Sequence, residues 1–442
     1  MPRSGTGASV YLLSLILLAY LALGAAYALN TPIWQAPDEP AHFNYVRDIA
    51  SGKGFPVLQM GDYDSEYMQR ITAAHFPADM SIDSIRYESH QPPLYYTVAA
   101  LVLMGVKDLP IGQQVFSLRL FSLLMGVVIL AAAYRAAGQV FPDQSSLALG
   151  VTALIAFIPQ HLHITGSIDN DVLGELLLTG IVLLLLVQMR RSRSSSIWGA
   201  SVPLGLLLGL ALLSKDTAYI AVPLAPLGLA LGEGLKERFS WLRLAYTTAA
   251  AYSVALAVSG WWFVRNLLTY GDLDLFGLLR HDQVVVGQPR VGVFDWAAAG
   301  RFLTVGFQSF WAQFGWMGVP SDSRTYAFVG MLSILMVLGL AVFLVREVRR
   351  PALTRYQGSA LVLLAVSFLM VLAGVTTYNL EFIQPQGRYL FPASLSIGIF
   401  GLLGLRQLMG RRLAVPTAAI SLCWFGLAVY NLWWVLIPGF RY

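Results

Sequence analysis

Charge is scarce in this chain: Asp, Glu, Lys and Arg make up 12% of its 442 residues, against roughly 25% in an ordinary soluble domain. So few ions cannot clothe a water-facing surface of this size. With 57% hydrophobic residues and a mean hydropathy of +0.63, the composition is that of an integral membrane protein. Cysteine is nearly absent, and the one present, Cys423, lies inside an apolar run, which excludes a disulfide framework and a thiolate metal site. Internal repeats, low-complexity tracts and linkers are also missing, so residues 1–442 read as one domain. The formal net charge of +5 does not point to nucleic acid. Its basic residues fall in short clusters between apolar runs, where orientation in a bilayer accounts for them.

Eleven apolar runs approach the roughly 20 residues that cross a hydrocarbon core. They are Val10 to Leu29, Val115 to Ala137, Ser146 to Ile164, Val172 to Met189, Ile197 to Leu213, a short Ala218 to Leu231, and Ala245 to Val264. Tyr326 to Val345, Ser359 to Thr376, Tyr389 to Leu405 and Leu413 to Leu436 complete the set. If these alternate across the membrane, Arg3, Arg135, Arg190, Arg191, Arg193, Lys236, Arg238, Arg243, Arg346, Arg349, Arg350, Arg355, Arg406, Arg411 and Arg412 share one side. That side is the cytoplasm, which places the N-terminus inside and the C-terminus outside. Pro93 to Val106 is apolar but short, and reads as a re-entrant or interfacial helix. Arg3 with the stretch ending at Ala28 resembles a signal peptide, yet its apolar core is too long, which favours an uncleaved anchor. The expected fold is therefore all-α and polytopic, with about eleven transmembrane helices and further juxtamembrane helices in the first outer loop.

Three outer loops stand out: 30–114, 265–325 and 377–388. In the first, Pro37 and Asp38 can open a helix ending near Gly52, with Phe43, Val46, Ile49 and Ala50 on one stripe and Asp38, Glu39, His42 and Tyr45 on another. Such a helix is expected on the membrane surface. A second starts at Asp64 or Ser65, with Tyr67, Met68, Ile71 and Ala74 forming its apolar face.

The adjacent acids Asp38 and Glu39 can be read in two ways. They can cap the helix, or one can serve as a general base, its pKa raised by hydrocarbon and by its neighbour and its orientation set by His42 one turn on. Other ionisable groups gather on the same face. "ESHQPPLYY" brings His90 and Tyr95 to the mouth of the dipping segment, and "GSIDNDVLGE" puts Asp169 and Asp171 at the outer end of a span with Glu175 a turn inside. Lys215 and Asp216 occupy a tight outer turn, and "QPQGRYLFPA" carries Gln386, Arg388 and Tyr389 where an outer loop re-enters the bilayer. An arginine there opposes the usual inside bias; its planar guanidinium suits a phosphate at headgroup depth, with snorkelling as the alternative. Trp311, Phe314 and Trp316 can stack on sugars or anchor an interfacial helix. No His/Asp/Glu set has the spacing of a dedicated metal site.

In this order, "PDEPAHF", "HQPPLYY", "SIDNDVL", "LLSKDTAY" and "QPQGRYLFPA" resemble the GT-C superfamily of membrane glycosyltransferases, in its protein O-mannosyltransferase and aminoarabinose transferase branch with related bacterial membrane proteins. The resemblance implies a polyprenyl-phosphate sugar donor, an extracytoplasmic site in a bacterial plasma membrane, and an acidic base from the first loop. It makes Asp38 the base with Glu39 as alternative. Arg388, Lys215 and Arg265 become donor-phosphate ligands, and His42, His90, Tyr95, Asp169, Asp171, Gln386 and Tyr389 groups that orient substrates. The acceptor would be a glycan, lipid or protein hydroxyl, in contact with membrane lipids. No cofactor is obligatory, although the acids leave room for a loosely held divalent cation. Unlike larger members, no sizeable C-terminal soluble domain is expected. The competing reading is a transporter or flippase of a lipid-linked sugar, but transporters usually carry ionisable groups near mid-membrane.

Overall fold

In a computed structural model the chain is described over residues 6–190, 196–288, 296–410 and 414–441. Arg3, Arg191, Arg193, Arg411, Arg412 and Leu413 lie outside the described residues. Each of the eleven apolar runs is helical over the remainder of its length, apart from breaks near Ile158 and Ser214. Among the described residues, eight helices are long and apolar enough to cross a membrane: Gly7–Asn30, Ile111–Val140, Asp171–Met189, Trp241–Tyr270, Ser323–Arg349, Arg355–Glu381, Gly387–Met409 and Thr417–Gly439. This is a multi-pass membrane architecture. The eleven expected spans differ from these eight for physical reasons. Ile197–Leu212 has 16 residues and Ala221–Gly234 has 14, short of the roughly 20 that a bilayer requires.

Ser146 to Ile164 is not one straight span. It breaks into Ser145–Ala156 and Pro159–Thr165, bent by 66°. Pro159 lacks an N–H and pushes the preceding residue out of helical geometry; Ile158 is extended at φ −66, ψ 116. The bend turns the chain towards Ser167, Asp169 and Asn170, all buried.

Helix packing follows small residues. Gly205 and Gly209, four apart on Ile197–Leu212, face Trp241–Tyr270; a Cβ on Gly205 would sit 2.4 Å from the Ala251 carbonyl. Close backbone approach of this kind is how helices associate where lipid competes for apolar contacts.

The first juxtamembrane helix forms where the sequence placed it, at Glu39–Ala50, but it does not lie on a surface. Glu39 through Val46 and Asp48 are all buried. Its aromatic side chains explain this: Tyr45 stacks on Tyr96 of the Leu94–Val106 helix with centroids 3.8 Å apart and planes 4° from parallel, and Phe43 packs on Trp34. The second helix is Ser65–Ala73, capped by the Asp64 carboxylate, which accepts from the Glu66 and Tyr67 N–H groups. Leu94–Val106 stays short at 13 residues. A two-residue hairpin, Gln313–Phe314 paired with Val319–Pro320, is the strand structure among the described residues. Trp311 and Phe314 are buried there, Trp311 stacked on Trp424, and the Trp316 indole N–H donates to the Trp34 carbonyl at 2.9 Å. These rings serve packing rather than an open sugar platform.

Candidate functional site

Asp38 occupies the position that would cap Glu39–Ala50, yet its side chain makes no capping bond. Its backbone is left-handed, φ 63 and ψ −5, a conformation that disfavours Cβ and tends to mark functional positions. The turn aims the carboxylate away from the helix. One oxygen pairs with the Arg388 guanidinium, and the other accepts from the Tyr87 hydroxyl at 2.6 Å. Burial alone would raise the Asp38 pKa, but Arg388, His42 and these hydrogen bonds outweigh it and hold the carboxyl well below its usual range.

Glu39, its neighbour, has a different duty. It is fully buried and bound by both arms of Arg119, Nε to Oε1 at 2.8 Å and Nη2 to Oε2 at 2.6 Å. The same carboxylate accepts from the Trp34 and Ile168 N–H groups. Arg119 in turn donates to the carbonyls of Ala28, Thr31 and Pro32. Four donors thus converge on the Glu39 carboxylate, which ties Arg119 to the Trp34 and Ile168 amides.

Arg388 links three distant stretches of chain. Besides Asp38 it reaches Asp169, Nη1 to Oδ2 at 3.2 Å, and its guanidinium lies 5.3 Å above the Tyr389 ring. Gly387 makes this placement sterically feasible: a Cβ there would fall 2.2 Å from both the Gly306 carbonyl and the Phe310 nitrogen. Lys215 completes the charge network, 3.7 Å from Asp169 and in contact with Asp171. Burial would lower the Lys215 pKa, but Asp171, Asp169 and Glu88 raise it well above its ordinary value, so this amine stays charged. Asp216, beside it, points instead towards Tyr219, and burial lifts its carboxyl to about 6.

Hydrogen bonds stitch these segments together. His42 Nδ1 bonds the Tyr96 hydroxyl at 2.8 Å, while its Nε2 only approaches Asp169 Oδ1, at 3.6 Å and beyond hydrogen-bond reach; burial and then Lys215 press its pKa down to about 3, so the ring is neutral. The Tyr95 hydroxyl accepts from the Asp169 N–H and shares a bond with Ser122. Asn170 donates to the Gln91 side chain and the Ser214 carbonyl, and the Leu94 N–H donates to the Leu213 carbonyl.

Asp38, His42, Tyr95, Asp169, Asp171, Lys215, Arg388 and Tyr389 thus come together. Besides Glu39, held by Arg119, three of the sequence-derived candidates do not join them. Arg265 is committed to the Pro56 carbonyl at 2.7 Å and stacks on Trp262, fastening the first loop to the Trp241–Tyr270 helix. His90 bonds the Tyr87 carbonyl and faces His281, 4.6 Å away between centroids. Gln386 bonds Gln384 rather than the acids. Glu175, inside its helix, is satisfied by His161 and Ser394, which removes the penalty of an isolated charge.

Sequence reasoning passed over Arg119, Tyr87 and Glu88. Arg119 had a signal, a lone arginine inside an apolar run that must find a buried partner. Glu88 lay inside a quoted motif, but its environment depends on segments far away in sequence. Among the described residues no group of three or more His, Cys, Asp or Glu side chains is placed to hold a metal ion. The clustered carboxylates already face Arg388 and Lys215.

Comparison with known proteins agrees with this architecture. ArnT from Cupriavidus metallidurans, crystallised with undecaprenyl phosphate, superposes with a TM-score of 0.53 at 14% identity, covering 99% of this chain and 74% of ArnT. The Archaeoglobus fulgidus oligosaccharyltransferase, crystallised with Zn and sulfate, gives 0.51 at 13% identity over 94% of this chain and 53% of that one. The chain thus spans about half the length of the oligosaccharyltransferase. At such identities the likeness establishes the fold alone, which this chain shares with both proteins. No curated protein matches the sequence. A family profile described as "Predicted membrane protein (DUF2142)" matches residues 64–397, and the chain belongs to that family.

Proposed function

We propose that this protein transfers a sugar from a polyprenyl-phosphate donor to an acceptor hydroxyl at the extracytoplasmic membrane face, with inversion at the anomeric carbon. One observation carries the reading: Asp38 and Arg388, 350 residues apart, meet within a single buried cluster with Asp169, Asp171 and Lys215. A carboxylate and two fixed cations are the minimum such chemistry needs. The acceptor oxygen attacks the anomeric carbon from the face opposite the phosphate. The carbon–oxygen bond to phosphate breaks with its electron pair going to phosphate, while the acceptor proton passes to the Asp38 carboxylate.

Paired with Arg388, Asp38 is a weak base. Donor binding corrects this, because the phosphate takes over the Arg388 guanidinium and leaves Asp38 with burial as the dominant influence, which raises its proton affinity. The base is armed only when the leaving group is in place. Arg388 and Lys215 then face the charge that grows on the phosphate, an electrostatic contribution that is usually the largest single one. Glycosyltransferase activity and lipid-phosphate binding in proteins of this fold support the assignment as analogy. The sugar and the acceptor, whether glycan, lipid or protein, are open to assay. Incubation of the purified protein with radiolabelled polyprenyl-phosphate sugars should release label from the lipid fraction; retention of label with every donor and acceptor tried rejects the reading.

A further inference from the structure

The 3-10 turn Tyr87–His90 holds an acid that the reaction above does not use. Residues on either side of that acid are tied to the site: Tyr87 donates to Asp38, and Gln91, just past the turn, accepts from Asn170, which lies between Asp169 and Asp171. The turn is braced by His90 bonding the Tyr87 carbonyl and by the Gln91 N–H donating to the Glu88 carbonyl. Glu88 is therefore suspended over the cluster. Its Oε2 is buried and, among the described residues, has no hydrogen-bond partner; the same holds for Nε of Arg388. An unsatisfied buried polar atom is costly, and two in one site call for a shared explanation.

Charge supplies it. Asp38, Asp169 and Asp171 already outnumber Lys215 and Arg388. A fourth carboxylate would make the cluster doubly negative where an anion must enter. From this geometry we propose that Glu88 works as a neutral carboxylic acid, donating a hydrogen bond to a non-bridging oxygen of the donor phosphate beside the free Nε of Arg388. The inference rests on the donor reading above and names a further binding residue for it. No proton is transferred: the acid keeps its proton and offers it to charge that develops on the phosphate, as a carboxyl kept un-ionised near neutrality can. The charged groups facing Glu88 are Asp38, Lys215, Asp169 and Arg388, and the tyrosines Tyr87, Tyr96 and Tyr378 also lie near enough to feel its charge. Burial first, then Asp38, push its carboxyl up to about 8. Nearby groups do not titrate in that range: His42 and His90 are pressed downward by burial, and Tyr87 and Lys215 are held upward.

The test is equilibrium binding of farnesyl methyl phosphate, a polyprenyl phosphodiester with one non-titrating charge, to the full-length protein in nanodiscs. In the wild type, affinity should fall about tenfold per pH unit above about pH 8, as the ionised acid repels the phosphate. Glu88→Gln keeps a donor but cannot ionise, so its binding should be flat with pH and exceed wild type by about thirtyfold at pH 9.5. Glu88→Ala, lacking the donor, should be flat but weaker than Glu88→Gln throughout. A wild-type curve flat to pH 9.5, or a Glu88→Gln curve that still falls, overturns the inference while leaving donor binding standing. Absence of wild-type binding at every pH removes the donor reading and this inference with it. As a measure independent of ligand, infrared difference spectra at pH 7 should contain a protonated carboxyl band lost in Glu88→Gln; no such band overturns the proposal.

Discussion

Replacing Asp38 by Asn separates the two duties assigned to that residue. The substitution preserves size and removes the charge that pairs with Arg388, while the amide oxygen still accepts from the Tyr87 hydroxyl. In the resting site Asp38 competes with donor phosphate for the guanidinium, so Asn should tighten donor binding. A hydrogen bond to a charged group contributes about 1.5–3 kcal/mol; because Arg388 keeps its second partner, Asp169 at 3.2 Å, the lower end applies. About 1.4 kcal/mol corresponds to tenfold, so the expected gain in affinity is about tenfold. Transfer, by contrast, should slow by about 10² to 10⁴-fold, the usual worth of a positioned base. Binding of radiolabelled polyprenyl phosphate and single-turnover transfer, measured on one nanodisc preparation, resolve the two effects. If Asp38→Asn bound donor no better than wild type, the competition argument would fail; if it transferred sugar at the wild-type rate, Asp38 would not be the base.

Glu39→Gln should act on stability, because it leaves the Arg119 charge buried without its partner; breaking such a pair costs about 3–5 kcal/mol, visible as a large drop in the thermal midpoint of detergent-solubilised protein. Gly387→Ala should move Arg388 off its partners through the clash with Gly306 and Phe310, reducing donor affinity while leaving far-ultraviolet dichroism intact. Glu88→Gln should stabilise the fold selectively at neutral and mildly alkaline pH. The native carboxyl retains a proton that the unfolded one loses, so wild-type stability declines as pH rises from its ordinary range to about 8. The Gln variant lacks that decline, and thermal melts should converge with wild type near pH 4.

The bundle was legible because apolar runs of bilayer length leave little choice, and the Glu39–Ala50 helix because Pro near its start and the Phe43, Val46 stripe announce it. The break at Ile158 was also written in the chain, as a proline inside an apolar run. What local pattern could not reveal was direction. A helix-opening acid normally caps; only the left-handed turn at Asp38, fixed by packing, sends its carboxylate to Arg388. Adjacent acids look equivalent in sequence, yet Arg119 claims one of them from 80 residues away. Arg265 was expected to hold the donor phosphate, but it lies in the Trp241–Tyr270 helix and donates to the Pro56 carbonyl, a contact with no trace in spacing. Glu88 escaped notice because its unusual setting arises from four segments at once.

The order in which these segments emerge during synthesis matters for the nascent protein. Asp38 leaves the ribosome 350 residues ahead of Arg388, and Asp169 leads it by 219. Until the penultimate span is inserted, the early acids have Lys215 alone as cationic company in the cluster. A polypeptide stalled or truncated before Gly387 therefore carries surplus negative charge among its helices.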